Sequence, residues 1–454
     1  MTTMTTLKTK TLPPGPGSSG GLTSLLHRNQ TGILENFARM RKEYGDIVYT
    51  KFGPIHNYIL FHPEDVNYVL VKNQKNFVKG IGYDGFRLLV GQGLVTSDGD
   101  MWRQQRKMMS PHFTPNAMRN YSNMMAETVN HMLEGWETAA QRGETLHMDT
   151  EMMRLTMSVI GRALFSLDLG NTPTEVGHAL QEAFAFIPTR SLNPLIPMWF
   201  PRESHRRFRR NEKIIDAFIA KQIETGRSSE GQENLLQIML KAQDEETGRG
   251  MDDRQLRDEL VTLFFAGFET TARSLTWGWY LLDQHPEVLD RIAAEADTVL
   301  AGRHPTHADL GKLTYTRQVV DETLRLYPPT AMLARQTIDE DEIGGYPIPV
   351  RGMITLVPWI VHRHTDFWPE PEKFDPERFT AEASAKRPKY AYIPFAAGPR
   401  VCLGNSFALM EMVYAFAMAA ERFRFERIDD EPIKAEFSGA TRPARPLMMR
   451  VTPR

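Results

Sequence analysis

The chain has 454 residues, and at roughly 150 residues per domain that length allows about three domains or one large core. Lys+Arg 54 against Asp+Glu 56 leaves a net charge of −2, which removes the global basic field that draws proteins to nucleic acid. Hydrophobic residues at 41% and charged residues at 24% are ordinary globular values, and the single cysteine excludes an internal disulfide, a four-cysteine zinc site and a cysteine-ligated iron–sulfur cluster.

Residues 1–21 read as a flexible Pro/Gly/Ser-rich arm, and 22–454 as a single domain, because no long linker follows. Gly15, Gly17 and Gly20 match a dinucleotide-binding fingerprint in letters, but they follow two prolines instead of a strand and carry no weight. No apolar stretch has signal-peptide length or approaches the 18 or so residues that span a bilayer, so a cytoplasmic, monomeric chain is expected. From Tyr44 to Phe61 two β-rich runs flank Gly53-Pro54, the signature of a hairpin, and shorter strand-like pieces recur near Thr337 to Leu356. Trp102 and Arg106, four apart on a predicted helix, share a face that suits an anionic group. Arg202 to Lys213 is strongly basic and reads as a solvated helix start.

Asp253 to Gln284 is an unusually long helical pattern ending before Pro286; at 1.5 Å per residue it spans about 48 Å, the length of a spine. Within it stand Ala266, Gly267, Glu269, Thr270 and Thr271. A glycine costs about 1 kcal/mol in a helix interior, and Thr270 can bond back to the Ala266 carbonyl, so a small groove is expected there. A buried polar patch satisfied by its own backbone is the equal alternative. Glu322 and Arg325 share a helix face, and with Arg378 they form a candidate charged triad. His304/His307 and His362/His364 lack further ligands at metal spacing and read as surface or supporting residues. Cys402 lies in Phe395-Ala-Ala-Gly398-Pro-Arg400-Val-Cys402-Leu-Gly404, ahead of a helical run from Asn405 to Arg422. A thiolate at a helix N-terminus meets the positive end of the dipole, and Gly398 and Gly404 let backbone approach a flat ligand.

The pattern F-x-x-G-x-R-x-C-x-G resembles the heme-binding signature of the cytochrome P-450 family, with all five marked positions present. Glu322-Thr-Leu-Arg325 is similar to that family's E-x-x-R helix and Pro376-Glu-Arg378-Phe379 to its P-E-R-F segment. Ala266 to Thr271 is similar to its oxygen-activation segment, and Trp102-x-x-x-Arg106 to its W-x-x-x-R pair. The resemblance implies a mainly α (α+β), helix-rich fold with small β-sheets and a long central helix. It also implies a heme-thiolate monooxygenase that inserts one atom of O2 into a hydrophobic substrate, a lipid, terpenoid, steroid or polyketide.

By the same resemblance Cys402 is the proximal ligand of the iron of heme b. Phe395, Gly398, Arg400, Gly404 and Ala266 line the cofactor, and Trp102, Arg106, Arg400 and Arg335 face its propionates. For Arg335 a solvated cation is an equal alternative. Glu322, Arg325 and Arg378 are structural, while Glu269 and Thr270 support proton delivery. Electrons originate in NAD(P)H and arrive through a separate ferredoxin or flavodoxin with its reductase, since the chain ends soon after the cysteine helix. Arg103 and Lys107 are a candidate docking face for that partner, with a solvated face equally open. Phe86, Leu89, Phe184, Phe186, Ala266 and Met332 are candidate pocket residues, core packing being the alternative for each. Two rival functions remain open: a peroxide-driven peroxygenase, and a heme-binding sensor without turnover.

Overall fold

Alternating and helical hydrophobic patterns sort the described residues, which in this computed structural model are 11–16, 32–170, 175–192, 198–200, 202–228, 234–243 and 248–454. Among these residues ten helices exceed ten residues: α1 (Ile33–Tyr44), α2 (Gly99–Met109), α3 (Arg119–Gln141), α4 (Met148–Phe165), α5 (Glu175–Leu192), α6 (Glu203–Ser228), α7 (Asp253–Gln284), α8 (Pro286–Val299), α9 (Thr314–Leu326) and α10 (Asn405–Arg422). The strands are short: β1 (Ile47–Phe52), β2 (Ile55–Leu60), β3 (Phe77–Val78), β4 (Thr145–His147), β5 (Leu333–Thr337), β6 (Asp341–Ile343), β7 (Tyr346–Ile348), β8 (Met353–Leu356), β9 (Phe423–Arg427), β10 (Ala435–Ser438), β11 (Ala440–Pro443) and β12 (Met448–Pro453). No helix among the described residues is long and apolar enough to cross a membrane.

The chain forms two compact units whose segments alternate in sequence. The first comprises 1–82, 331–371 and 388–401. Its five-stranded sheet has the order β1-β2-β8-β5-β3, in which β2 and β8 run parallel and the other pairs antiparallel. The predicted hairpin is β1–β2, with Phe52 opposite Ile55 and Gly53 at φ +55° supplying the turn. Alternate strand residues feed two apolar clusters: Tyr58, Leu60 and Ile354 in one, Val48, Ile59 and Phe61 with Phe37 of α1 in the other. Of the expected arm, residues 11–16 are described, and they lie along the sheet, where the Tyr49 N–H donates to Pro14 O at 2.9 Å. A Cβ on Gly15 would fall 1.9 Å from Tyr49 O, so this glycine serves close backbone packing. Gly17 and Gly20 lie outside the described residues.

His362 and His364, expected at the surface or in supporting roles, are fully buried in this unit and take the second. His362 Nε2 accepts from the Ile393 N–H at 2.9 Å, and His364 Nε2 meets Arg41 Nη2 at 2.8 Å and Asp46 Oδ1 at 3.2 Å. Their rings satisfy buried polar groups, a need that letter spacing does not reveal.

The second unit comprises 83–330, 372–387 and 402–454 and holds α2 through α10. The spine α7 has the predicted bounds, and Asp252 caps it by accepting from the Gln255 N–H at 2.7 Å. Its C-terminal half is buried, with Trp277 stacked on Tyr327 at 3.9 Å and Trp279 packed on Phe416 and Phe425. At Gly278 the spine meets α10: a Cβ there would lie 2.2 Å from Phe416 Cζ. Gly267 marks a second close approach, where a Cβ would lie 2.7 Å from Ile160 Cδ1 of α4. The side of the helix at Gly267 is therefore filled by α4, and the missing side chain eases that contact instead of opening a groove.

Candidate active site

Cys402 stands three residues before α10, with Gly404 at the helix N-cap. The Gly404 N–H bonds to the thiol, and this bond and the Arg106 cation favour the thiolate, while burial is the largest influence and pushes the thiol's pKa up. By accessible area the same residue is exposed. The sulfur lies on the wall of a recess, open to solvent on one side and surrounded by protein on the others. Arg106 belongs to α2, and burial lowers its pKa while the nearby Cys402 raises it. Trp102 and Arg106 are both partly buried on α2, one turn apart. Thus α2 and α10 set a guanidinium and a sulfur close enough to feel one another. Gly404 leaves its flank open, since a Cβ there would meet nothing within 4 Å.

In the first unit the loop preceding the cysteine makes its own turn. Ala396 and Gly398 have φ of +61° and +71°. A Cβ on Gly398 would sit 2.0 Å from Leu70 O, so the glycine is required both by its left-handed backbone and by the closeness of that carbonyl. Its role is thus to seat the loop on residues 68–72, where the sequence suggested approach to a flat ligand. Phe395 and Arg400 are partly buried in this loop. Arg335, on β5, is only 3% exposed and donates through Nη1 to Ala334 O at 2.7 Å, which overturns the solvated-cation reading.

On α7 the residues Leu263, Ala266, Gly267 and Thr270 remain partly accessible along a helix whose other central residues are buried. Spaced at i, i+3, i+4 and i+7, they form one stripe. Thr270 Oγ1 donates to Ala266 O at 2.8 Å, the bond the sequence predicted. Glu269 is 5% exposed, and its Oε1 accepts from Arg273 Nε at 2.9 Å; Arg273 also bonds Asp149 of α4. Burial pushes the Glu269 carboxyl above its ordinary range, against the pull of Arg273. Arg273 and Asp149 were missed: Asp149 is 124 residues away from its partner, and no motif links them.

The charged triad is formed as expected. Glu322 accepts from Arg325 Nε at 2.6 Å and Nη2 at 2.7 Å, and from the Asp375 N–H at 2.9 Å; Arg378 Nε lies 3.5 Å away. Arg325 also donates to Lys373 O at 3.1 Å. Both members of the Glu322–Arg325 pair are fully buried.

The candidate pocket residues part company. Phe86 faces Phe184 at 6.2 Å, and Phe184 packs on Phe265 of α7 at 4.0 Å. Phe265 was not singled out from sequence, because one phenylalanine among several on a buried helix has no distinguishing pattern. Leu89 is wholly buried, Phe186 packs on Phe208 of α6 at 4.8 Å, and Met332 packs on the Phe37 cluster of the first unit.

A lone cysteine at a helix N-terminus, with a backbone donor, an adjacent guanidinium and an open glycine flank, fits a thiolate that ligates a heme iron. These features define the class of heme-thiolate proteins. The family model for cytochrome P450 matches residues 13–451, and the chain belongs to the cytochrome P450 family. Cyclooctat-9-en-7-ol 5-monooxygenase of Streptomyces melanosporofaciens is 37% identical over 391 residues, 85% of this chain and 83% of the relative. Cyclooctatin synthase of the same organism is 32% identical over 428 residues, 93% of this chain and 92% of the relative. The crystal structure of the cytochrome P450DA heme domain superposes with a TM-score of 0.89 at 27% identity, covering 98% of this chain and 99% of that one. Family membership makes the protein an oxidoreductase of the monooxygenase type, a family that works with heme and O2.

Proposed function

We propose that the protein hydroxylates or epoxidises an apolar, mainly hydrocarbon substrate of the terpenoid kind, with electrons from a separate ferredoxin or flavodoxin and its reductase. The observation that carries the reading is the pairing of Cys402 at the start of α10 with Arg106 of α2. Two relatives named for cyclooctat-9-en-7-ol and cyclooctatin support the substrate class, as do Phe86, Phe184 and Phe265, which offer apolar surface and no charge. In this reading Cys402 ligates the iron of heme b, Trp102 and Arg106 take its propionates, and Gly404 and Ala266 shape its surroundings. When bound, heme supplies the redox centre at which dioxygen is reduced and one of its atoms is transferred.

The protein's own contribution is to the proton. Thr270 commits its hydroxyl hydrogen to Ala266 O, which leaves the oxygen's lone pairs to accept from a water on the partly accessible stripe. Glu269, buried and therefore of raised proton affinity, holds and releases a proton one residue away, with Arg273 and Asp149 setting its charge. Retention of this acid and alcohol favours a dioxygen-dependent reaction over the peroxide-driven and sensor alternatives. The test is turnover of a terpenoid panel with NAD(P)H, a ferredoxin and its reductase under labelled O2. One labelled atom in the product supports the proposal. Equal turnover with hydrogen peroxide alone, or spectral binding without product, refutes it.

A further inference from the structure

One cavity of the second unit contains none of the residues assigned above to the thiolate, the proton or the aromatic surface of Phe86, Phe184 and Phe265. It is walled by the last turn of α2, the turn Ser110–Phe113 that follows it, the short helix Leu235–Lys241 and the start of α7. Its empty space is about 250 Å3, below the roughly 300–1,000 Å3 of pockets that enclose drug-sized ligands. A terpenoid does not fit in it.

The walls are apolar. Helix α2 contributes Met108 and Met109, the short helix Ile238 and Met239, and α7 Leu263. His112 is the only polar side chain among the described lining residues, and burial lowers its pKa, which keeps its ring uncharged near neutral pH. A thioether is a weak acceptor, and a buried water needs about two to four polar partners, so these side chains leave the cavity dry.

Leu263 belongs to two surfaces. It lines the cavity, and it heads the partly accessible stripe of Leu263, Ala266, Gly267 and Thr270 on α7. Residues three or four apart on a helix lie about 5–6 Å from one another, so the cavity ends one turn from Ala266.

We propose that this cavity admits dioxygen by a route separate from that of the organic substrate, with Leu263 as the side chain the gas passes to reach the Thr270 stripe. An apolar diatomic molecule gains by leaving water for such a space, whereas a water entering it gives up hydrogen bonds. Methionine side chains turn about three bonds and yield to a small guest. The inference goes beyond the function proposed above: it rests on the heme and O2 that family membership gives, and not on the substrate class.

The test uses the heme-loaded full chain with xenon and carbon monoxide as probes, and needs no organic substrate, so its failure leaves the terpenoid reading standing. Crystals held under xenon pressure are expected to show the atom between Ile238 and Leu263. After flash photolysis of the reduced carbon-monoxide complex, Ile238→Trp, which fills the cavity, is expected to slow bimolecular rebinding by about tenfold. The same variant loses the xenon, and Leu263→Ala, which widens the passage, rebinds faster than the parent. An unchanged reduced carbon-monoxide spectrum shows each variant folded, and Ile238→Phe takes the place of Ile238→Trp should the larger ring cost heme. Ordered water or no guest in the xenon-treated cavity, or rebinding at the parent rate in either the filled or the widened variant, overturns the proposal.

Discussion

Two buried glutamates, each paired with an arginine on its own helix, end in different states. Glu322 of α9 is bonded on every side, to Arg325 twice and to the Asp375 N–H, with Arg378 closing the set. Glu269 of α7 is held through one oxygen by Arg273, and lies next to Thr270 on the partly accessible stripe. The first is saturated and fully buried, and burial raises its proton affinity against the pull of Arg325, the Asp375 N–H and Arg378. The second shares that raised proton affinity but is anchored by a single bond from Arg273. The i,i+3 or i,i+4 spacing is common to both, and the surrounding partners separate their roles.

Breaking the saturated site has the largest expected effect. Glu322→Ala leaves Arg325 charged and buried without its partner, which costs about 3–5 kcal/mol. Thermal unfolding and heme content of the purified variant check this, and near-normal stability would erase the contrast. Opening the functional site is expected to spare the fold. Glu269→Gln keeps heme and stability but slows product formation by about a hundredfold. Thr270→Ala keeps heme and diverts reductant into hydrogen peroxide, measured as NAD(P)H consumed per product formed; full coupling in that variant contradicts the role given to its hydroxyl.

A third buried acid sharpens the comparison. Glu259 is completely buried, accepts from the Leu94 N–H at 3.0 Å, and its other oxygen has no partner among the described residues. Burial pushes its pKa up from 4.5 to about 8. Between these values the folded protein holds a proton that the unfolded chain releases, so this residue's contribution to stability is full below about 4.5 and lost as pH rises to about 8. Glu259→Gln does not titrate. Its melting temperature relative to the parent is therefore expected to climb from pH 5 to 8 and level off above, and a pH-independent difference would show that Glu259 is ionised throughout. The smallest effect is expected at Gly267→Ala. The helix-propensity gain of about 1 kcal/mol opposes a contact with the flexible end of Ile160, for a net change within about 1 kcal/mol by denaturant titration.

Local patterns carried much of the architecture. The spine's bounds, the Gly53-Pro54 hairpin, the Thr270 bond to Ala266 and the Glu322 triad all follow from turn chemistry and helical spacing. The cysteine motif carried the family. What stayed hidden depends on long-range packing. The two units interleave their segments without a linker, so composition shows no boundary. The Arg273–Asp149 bond joins α7 to α4, and the burial of Arg335, His362 and His364 depends on neighbours far along the chain. Gly267 and Gly398 were readable as places where a side chain is excluded, but only the structure identifies Ile160 and Leu70 as the atoms excluding it.

The central claim is that Cys402, placed at the start of α10 beside Arg106, is a thiolate ligand to heme. The most direct measurement is the difference spectrum of the reduced, carbon-monoxide-bound protein, alongside Cys402→Ala. The account predicts a strongly red-shifted Soret band in the parent and its loss in the variant. A band at the position typical of histidine-ligated heme, or one that survives removal of the only cysteine, would contradict it.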